Sequence, residues 1–218
     1  MKKLVSLLLC LTLMLAALSV AASAVMPKGA PSYLPFILRH YALTRDLAPV
    51  ELDEVEALFA NDKGEFDPAG ALTRAQLVNI LYRFEGEPAF MNDNVFDDVE
   101  SGSWYERAVV WADGKGIING YGDNKFGPND PVTREQMAAI FYRYAQYKEY
   151  DTSVDPNTNF LSFTDVFEIK DYAKSAMFWS VYNDLIVEDA DGWLYPAEQA
   201  VCADAAAFLY YLSELIAK

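Results

Sequence analysis

The constraint that acts most strongly on this chain is that it repeats itself. A shift of 60 residues lays "GEFDPAGALTRAQLVNILYRF" (64–84) over "NKFGPNDPVTREQMAAIFYRY" (124–144), with Phe, Pro, Thr, Arg, Gln, Ile, Tyr and Arg coinciding. A shift of 68 places Ala176, Trp179, Ile186, Asp191 and Pro196 over Ala108, Trp111, Ile118, Asp123 and Pro128. Just upstream, Phe163, Asp165 and Val166 answer Phe96, Asp98 and Val99. Each copy reads as helix, Gly-rich loop, helix. Units this small cannot bury their apolar faces alone, so the copies must pack on one another as a single assembly.

The second helix of each copy is the clearest element. Thr73 with Gln76, and Thr133 with Gln136, form capping boxes that satisfy free N–H groups at the helix start. Met137, Ile140, Phe141 and Tyr144 then fall on one face, as do Leu77, Ile80, Leu81 and Phe84, and Ala205, Phe208, Leu209 and Leu212. The first helix of the middle copy is expected to start with Ser103 as cap and Glu106 three residues on, and to stop near Gly114 and Gly116. Trp104 then stands in its first turn. In the third copy Asp171 is the expected cap and Tyr172 takes the Trp104 place. In the first copy "ELDEVEALFAND" (51–62) is helical in pattern but lacks an opening Phe-x-Asp-Val and a Gly-Tyr-Gly. Linkers are expected at 85–94 and 150–159, and 25–43 has no counterpart elsewhere.

The opening "MKKLVSLLLCLTLMLAALSVAASA" has two lysines, an apolar run and a small-residue site, the pattern of a secretory signal cleaved after Ala24. A retained anchor is the alternative. Cys10 lies inside that run, so Cys202 is the one thiol beyond it and no internal disulfide can form. The whole chain carries 17 bases against 32 acids, a charge of −15, and loss of Lys2 and Lys3 with the leader makes it −17. Nucleic acid is thereby disfavoured as a partner. Any anionic ligand must be met by locally placed arginines.

Residues 96–144, "FDDVESGSWYERAVVWADGKGIINGYGDNKFGPNDPVTREQMAAIFYRY", resemble an S-layer homology (SLH) repeat almost throughout. The resemblance rests on Phe-x-Asp-Val, the Trp104 position, Ala-x-x-Trp-Ala, Gly-Ile, Gly-Tyr-Gly-Asp, Phe-x-Pro and the Val-Thr-Arg-Glu helix start. It extends, more weakly, over about residues 45–216. It implies an all-α fold of three helix-loop-helix repeats packed as a pseudo-threefold bundle. The implied divisions are a signal peptide at 1–24, a lead-in at 25–44, a degenerate first repeat at 45–88, a second repeat at 95–148 and a divergent third at 162–216. The implied function is non-catalytic anchoring at a bacterial cell wall, by binding secondary cell wall polysaccharide, often pyruvylated, in grooves between repeats. Carried over from the family, the polysaccharide-binding residues are Arg74, Arg134 and Trp104, with Gly120 supporting the loop and Tyr172 standing in for the tryptophan. No cofactor is implied. Another envelope protein is the alternative partner, and no membrane contact is expected after signal cleavage.

Bare chemistry leaves each of these residues two readings. Arg74 and Arg134 open their helices, where the helix dipole disfavours a cation. Beside free backbone N–H groups a guanidinium makes a carboxylate or phosphate site. Equally, it can form a structural ion pair with a loop acid such as Asp123 or Asp130. Trp104 can stack on a sugar or fill the gap between copies, whereas Trp111 and Trp179 read as core. Asp123, Asn124 and Asp130 lack the spacing of a calcium loop. Asp123 is expected instead to brace the turn, with Gly120 and Gly122 at positive φ. In the third copy Cys202 takes the arginine place and Val201 the threonine place, so that groove should be weak, and Cys202 reads as a small buried hydrophobe. His40, the one histidine, has no catalytic company. A protein-interaction or structural module that has lost polymer binding is the alternative function, and a wall hydrolase a third reading.

Overall fold

In a computed structural model of the chain, the structure describes Leu58 and residues 67–216. The expected leader and lead-in lie outside the described residues, as does nearly all of the expected first helix of the first copy. Of that helix only Leu58 is described, and it is helical. Five α-helices follow: α1 (Arg74–Phe84), α2 (Glu106–Gly114), α3 (Arg134–Tyr147), α4 (Lys174–Tyr182) and α5 (Cys202–Ile216). Three single-turn 3-10 helices, Phe160–Ser162, Val166–Glu168 and Asp171–Ala173, lead into α4. Among the described residues there is no strand, only isolated bridges. Both linkers are non-helical, as the Gly, Pro and Asp content of 85–94 and 150–159 requires.

The helices begin where their caps dictate. Thr73 and Thr133 accept from the N–H of Gln76 and Gln136, whose side chains reach back to the threonine N–H. Two expected caps are not made. Ser103 bonds nothing through its buried hydroxyl, and α2 starts at Glu106, whose carboxylate accepts from Gly102 N–H. Trp104 therefore sits in the turn before α2. Asp171 pairs with Lys174 instead of capping, and the segment around Tyr172 winds as a 3-10 turn.

Three segments share one ring of backbone hydrogen bonds. Leu72 N–H donates to the Ala200 carbonyl (3.3 Å), Ala200 N–H to Val132 (2.8 Å), and Val132 N–H to Leu72 (2.9 Å). The next residues continue it: Arg74 donates to Asp130 (3.0 Å), Arg134 to Glu198 (2.9 Å) and Cys202 to Gly70 (2.9 Å). Ala75, Glu135 and Ala203 then donate to Pro128, Pro196 and Pro68, each at 3.0 Å. The first N–H groups of a helix have no partner inside it. Here the loop carbonyls of another segment supply those partners in cyclic succession.

The apolar faces read from the sequence converge beneath this ring. Leu77, Ile80, Leu81, Met137, Ile140, Phe141, Tyr144, Ala205, Phe208, Leu209 and Leu212 are all buried, as are Trp111 and Trp179. Phe141 stacks on Phe208 at 4.2 Å, and Trp179 leans on Phe208 at 6.3 Å. α1 packs on α2, and α3 on α4. No helix among the described residues is long and apolar enough to cross a membrane.

Phe-x-Asp-Val has a fastening role. Asp98 accepts from Phe126 and Gly127 N–H (2.8 and 2.9 Å), and Asp165 accepts from Leu194 and Tyr195 N–H (2.9 and 2.7 Å). The turn is thus braced by Asp98 and not by Asp123, which itself adopts φ 47. Burial pushes the Asp98 carboxyl upward, but these backbone donors outweigh it and leave the group below its ordinary value. A carboxyl lowered by folding contributes stability that is complete above the unfolded value, about 3.9, and lost as pH falls through the folded one. Asp98→Ala is expected to cost about 1–3 kcal/mol in urea unfolding at neutral pH. The gap from the parent should narrow as pH is lowered toward about 3.

Candidate functional site

The two arginines that open helices are held in similar frames. Backbone N–H groups at both helix starts are consumed by loop carbonyls and by the capping threonines. The expected free N–H groups beside the guanidinium are therefore absent, and only the side chain is left to meet an anion. Arg74 is 4% exposed. Its Nε donates to Phe126 O and its Nη2 to Asn119 O, both at 2.8 Å. The guanidinium lies over the rings of Tyr121 and Phe126, 4.5 and 4.7 Å from their centroids. Among the described residues no carboxylate comes within ion-pair distance of it. Burial pulls it below its ordinary value, with Tyr121 and Asp130 opposing.

Gly120 makes this arrangement possible by close approach. A Cβ there would meet Lys125 O at 2.6 Å and the Phe96 ring at 2.7 Å. Any side chain would push apart the turn that presents the Asn119 carbonyl and the Tyr121 ring. Its φ is not positive, contrary to expectation, whereas Gly122 has φ 101.

A third segment reaches the same place through Tyr172. Glu135, fully buried at the second position of α3, accepts from the Tyr172 hydroxyl (3.0 Å) and from Lys170 N–H (3.0 Å), and pairs with Lys170 Nζ (3.2 Å). Burial first, then Glu135, push the Tyr172 phenol up, while Arg74 pulls the other way. Tyr172 thus stands within electrostatic reach of Arg74 and Tyr121. Both tyrosines keep about half their surface exposed, at 52% and 48%. Arg143, half-buried in α3 and lowered by burial, adds a second positive charge whose repulsion Arg74 feels. Arg143 and Tyr121 were not singled out from the sequence. The signal was there for Arg143, which coincides with Arg83 between copies, but Arg83 instead donates to Leu58 O.

Arg134 differs at its terminal nitrogens. Its Nε donates to Leu194 O (3.0 Å), as Arg74 does to Phe126 O, but its Nη1 pairs with Asp204 Oδ1 at 2.9 Å, both side chains being 4% exposed. The ion pair is made with Asp204, not with Asp123 or Asp130. The other Asp204 oxygen accepts from Val201 N–H (3.0 Å), replacing the missing threonine box. Trp104 is 61% exposed and meets the Tyr105 ring edge-on at 5.1 Å. Such exposure does not suit a plug between segments. The ring and cation–π contacts of the described residues include none between Trp104 and either arginine. Cys202 is a free, half-buried thiol pushed up by burial. The structure therefore gathers Arg74, Gly120 and Tyr172, while Arg134 is engaged by Asp204 and Trp104 meets Tyr105.

Residues 95–138 match the S-layer homology domain family. This chain is an SLH-domain protein. It is similar, at 32% identity over 69% of its length, to 8% of an amylopullulanase from Thermoanaerobacterium thermosulfurigenes. It is 31% identical, over 69% of its length, to 14% of an exoglucanase XynX from Acetivibrio thermocellus. A further relative is the S-layer protein sap of Bacillus anthracis, 30% identical over 72% of this chain and 19% of that one. The chain thus spans less than a fifth of each of these relatives.

The two arginines are expected to differ in stability. Arg134→Met strands Asp204 as a buried unpaired charge and should cost about 3–5 kcal/mol. Arg74→Met leaves only neutral carbonyls unsatisfied and should cost about 1–3 kcal/mol. Urea denaturation of the two variants checks this, and equal costs would contradict the charge assignment.

Proposed function

We propose that this protein is a non-catalytic anchor that holds to a bacterial cell wall by binding secondary cell wall polysaccharide. In this reading segments 45–88, 95–148 and 162–216 are three SLH repeats in a pseudo-threefold bundle, exported by the leader 1–24 and preceded by a lead-in at 25–44. The cyclic hydrogen bonds around Leu72, Val132 and Ala200 support the bundle. The relatives named as S-layer proteins support the cell-surface setting.

The observation that carries the reading is Arg74: a nearly buried guanidinium that has no carboxylate partner among the described residues, in a chain rich in acids. Tyr121 and Tyr172 offer it half-exposed aromatic walls suited to a ring that is apolar on one face and polar at its edge. The Gly120 turn holds the first of them in place. An acidic sugar, such as a pyruvyl ketal, would set its carboxylate against Arg74 and its ring against the tyrosines. Trp104 is assigned to a neighbouring groove, and so is Arg134, whose charge is met there by Asp204. No catalytic role is given to any residue.

A second reading, an interaction module that no longer binds polymer, draws on the neutralised Arg134 and on Cys202 in the third arginine position. Cosedimentation with purified wall sacculi separates the two. Binding is expected to disappear when the secondary polymer is stripped, and Arg74→Ala should weaken it roughly 10- to 100-fold, the loss of one charge-assisted contact. Undiminished pelleting with stripped walls would favour the protein partner.

A further inference from the structure

Positions Arg74 and Arg134 are equivalent, so a difference between their surroundings has to come from what another segment places beside them. The third residue of the next helix in the ring is Asp204 for Arg134, and its counterpart for Arg74 is Gln136. Both residues do the same capping work, Gln136 through its amide oxygen on Thr133 N–H (3.1 Å) and Asp204 through Oδ2 on Val201 N–H (3.0 Å). Only Asp204 has a charged oxygen left over, and that oxygen takes the Arg134 guanidinium at 2.9 Å with both groups nearly buried. Gln136 is neutral, and Arg74 is left with carbonyls and aromatic rings.

We propose that Asp204 is a built-in counter-ion that takes the place of a ligand carboxylate on Arg134, so that the protein presents one anion-binding arginine, Arg74, and that residue 136 or 204 sets which arginine is open. This rests on the polymer-binding reading and adds its valency. A buried guanidinium already paired with a carboxylate gains little from a second anion, which must displace the first and leave it buried and uncompensated. An unpaired one gains the full charge-assisted contact. Exchange of aspartate for a neutral amide at one position therefore switches a site, without altering the cap that holds the helix.

The Nε–H groups of both arginines donate to buried carbonyls, which protects them from solvent exchange and makes them direct reporters by 15N NMR. The full chain is titrated with the 4,6-pyruvyl ketal of a methyl N-acetylhexosaminide, and with the same glycoside lacking the ketal. In the parent, the Arg74 Nε–H signal is expected to shift to saturation with the ketal only, while Arg134 stays still. In Asp204→Asn both should shift, with two sites filled. In Gln136→Asp, which carries the counter-ion to the other arginine, the Arg74 response should weaken at least tenfold.

An Arg134 signal that responds in the parent as strongly as Arg74 overturns the proposal. So does an unmoved Arg134 in a folded Asp204→Asn chain, or an undiminished Arg74 response in Gln136→Asp. If Arg74 is silent in the parent while Arg134 responds in Asp204→Asn, the counter-ion role stands and the placing of polymer at Arg74 falls. Silence of both arginines in every chain rejects both ideas.

Discussion

The structure depends on how the starts of α1, α3 and α5 satisfy their own backbone. Each presents N–H groups that its helix cannot bond, and each sets them against a loop of another segment. A loop carbonyl from another segment meets the first and the second, in a cycle that returns to where it began. Left unmade, each of these bonds would cost about 1–3 kcal/mol. No one segment can close the cycle alone, which ties the folding of each to the presence of the others. The prolines at 68, 128 and 196 supply carbonyls while having no N–H of their own to satisfy.

That same cycle decides the chemistry. With the helix N–H groups spent on carbonyls, the helix starts are not themselves anion sites. What remains at each is the side chain at the first position, and three equivalent positions carry Arg74, Arg134 and Cys202. Their differences are electrostatic, not geometric. Arg134 is compensated by Asp204, Cys202 has no charge to compensate, and Arg74 rests on neutral acceptors and the faces of two rings. In low dielectric such an uncompensated charge attracts an anion far more strongly than it would in water.

Much of the fold was legible because it is written in spacing. The shifts of 60 and 68 residues put equivalent residues into the hydrogen-bonded ring, and the helical periodicity named the core faces correctly. The capping boxes at Thr73 and Thr133 formed because a hydroxyl and an amide three residues apart need nothing from elsewhere. The Ser103 and Asp171 caps did not form: Glu106 reaches back to Gly102 N–H one residue too early, and Lys174 takes the Asp171 carboxylate. The site was legible only in part. Arg74, Gly120 and Tyr172 follow from their positions within a repeat. Bringing Tyr172 within electrostatic reach of Arg74 and Tyr121 needs three segments at once, and the pairing of Arg134 with Asp204 spans 70 residues of sequence. No local pattern encodes either.

The central claim is that Arg74 recognises negative charge on a wall glycan. The most direct measurement is isothermal titration of the protein with isolated secondary wall polymer, intact and after its carboxyl groups have been reduced to alcohols. Loss of one charge-assisted contact should weaken binding of the reduced polymer roughly 10- to 100-fold in the parent and leave Arg74→Ala almost indifferent to the reduction. Equal affinity of the parent for intact and reduced polymer would contradict it.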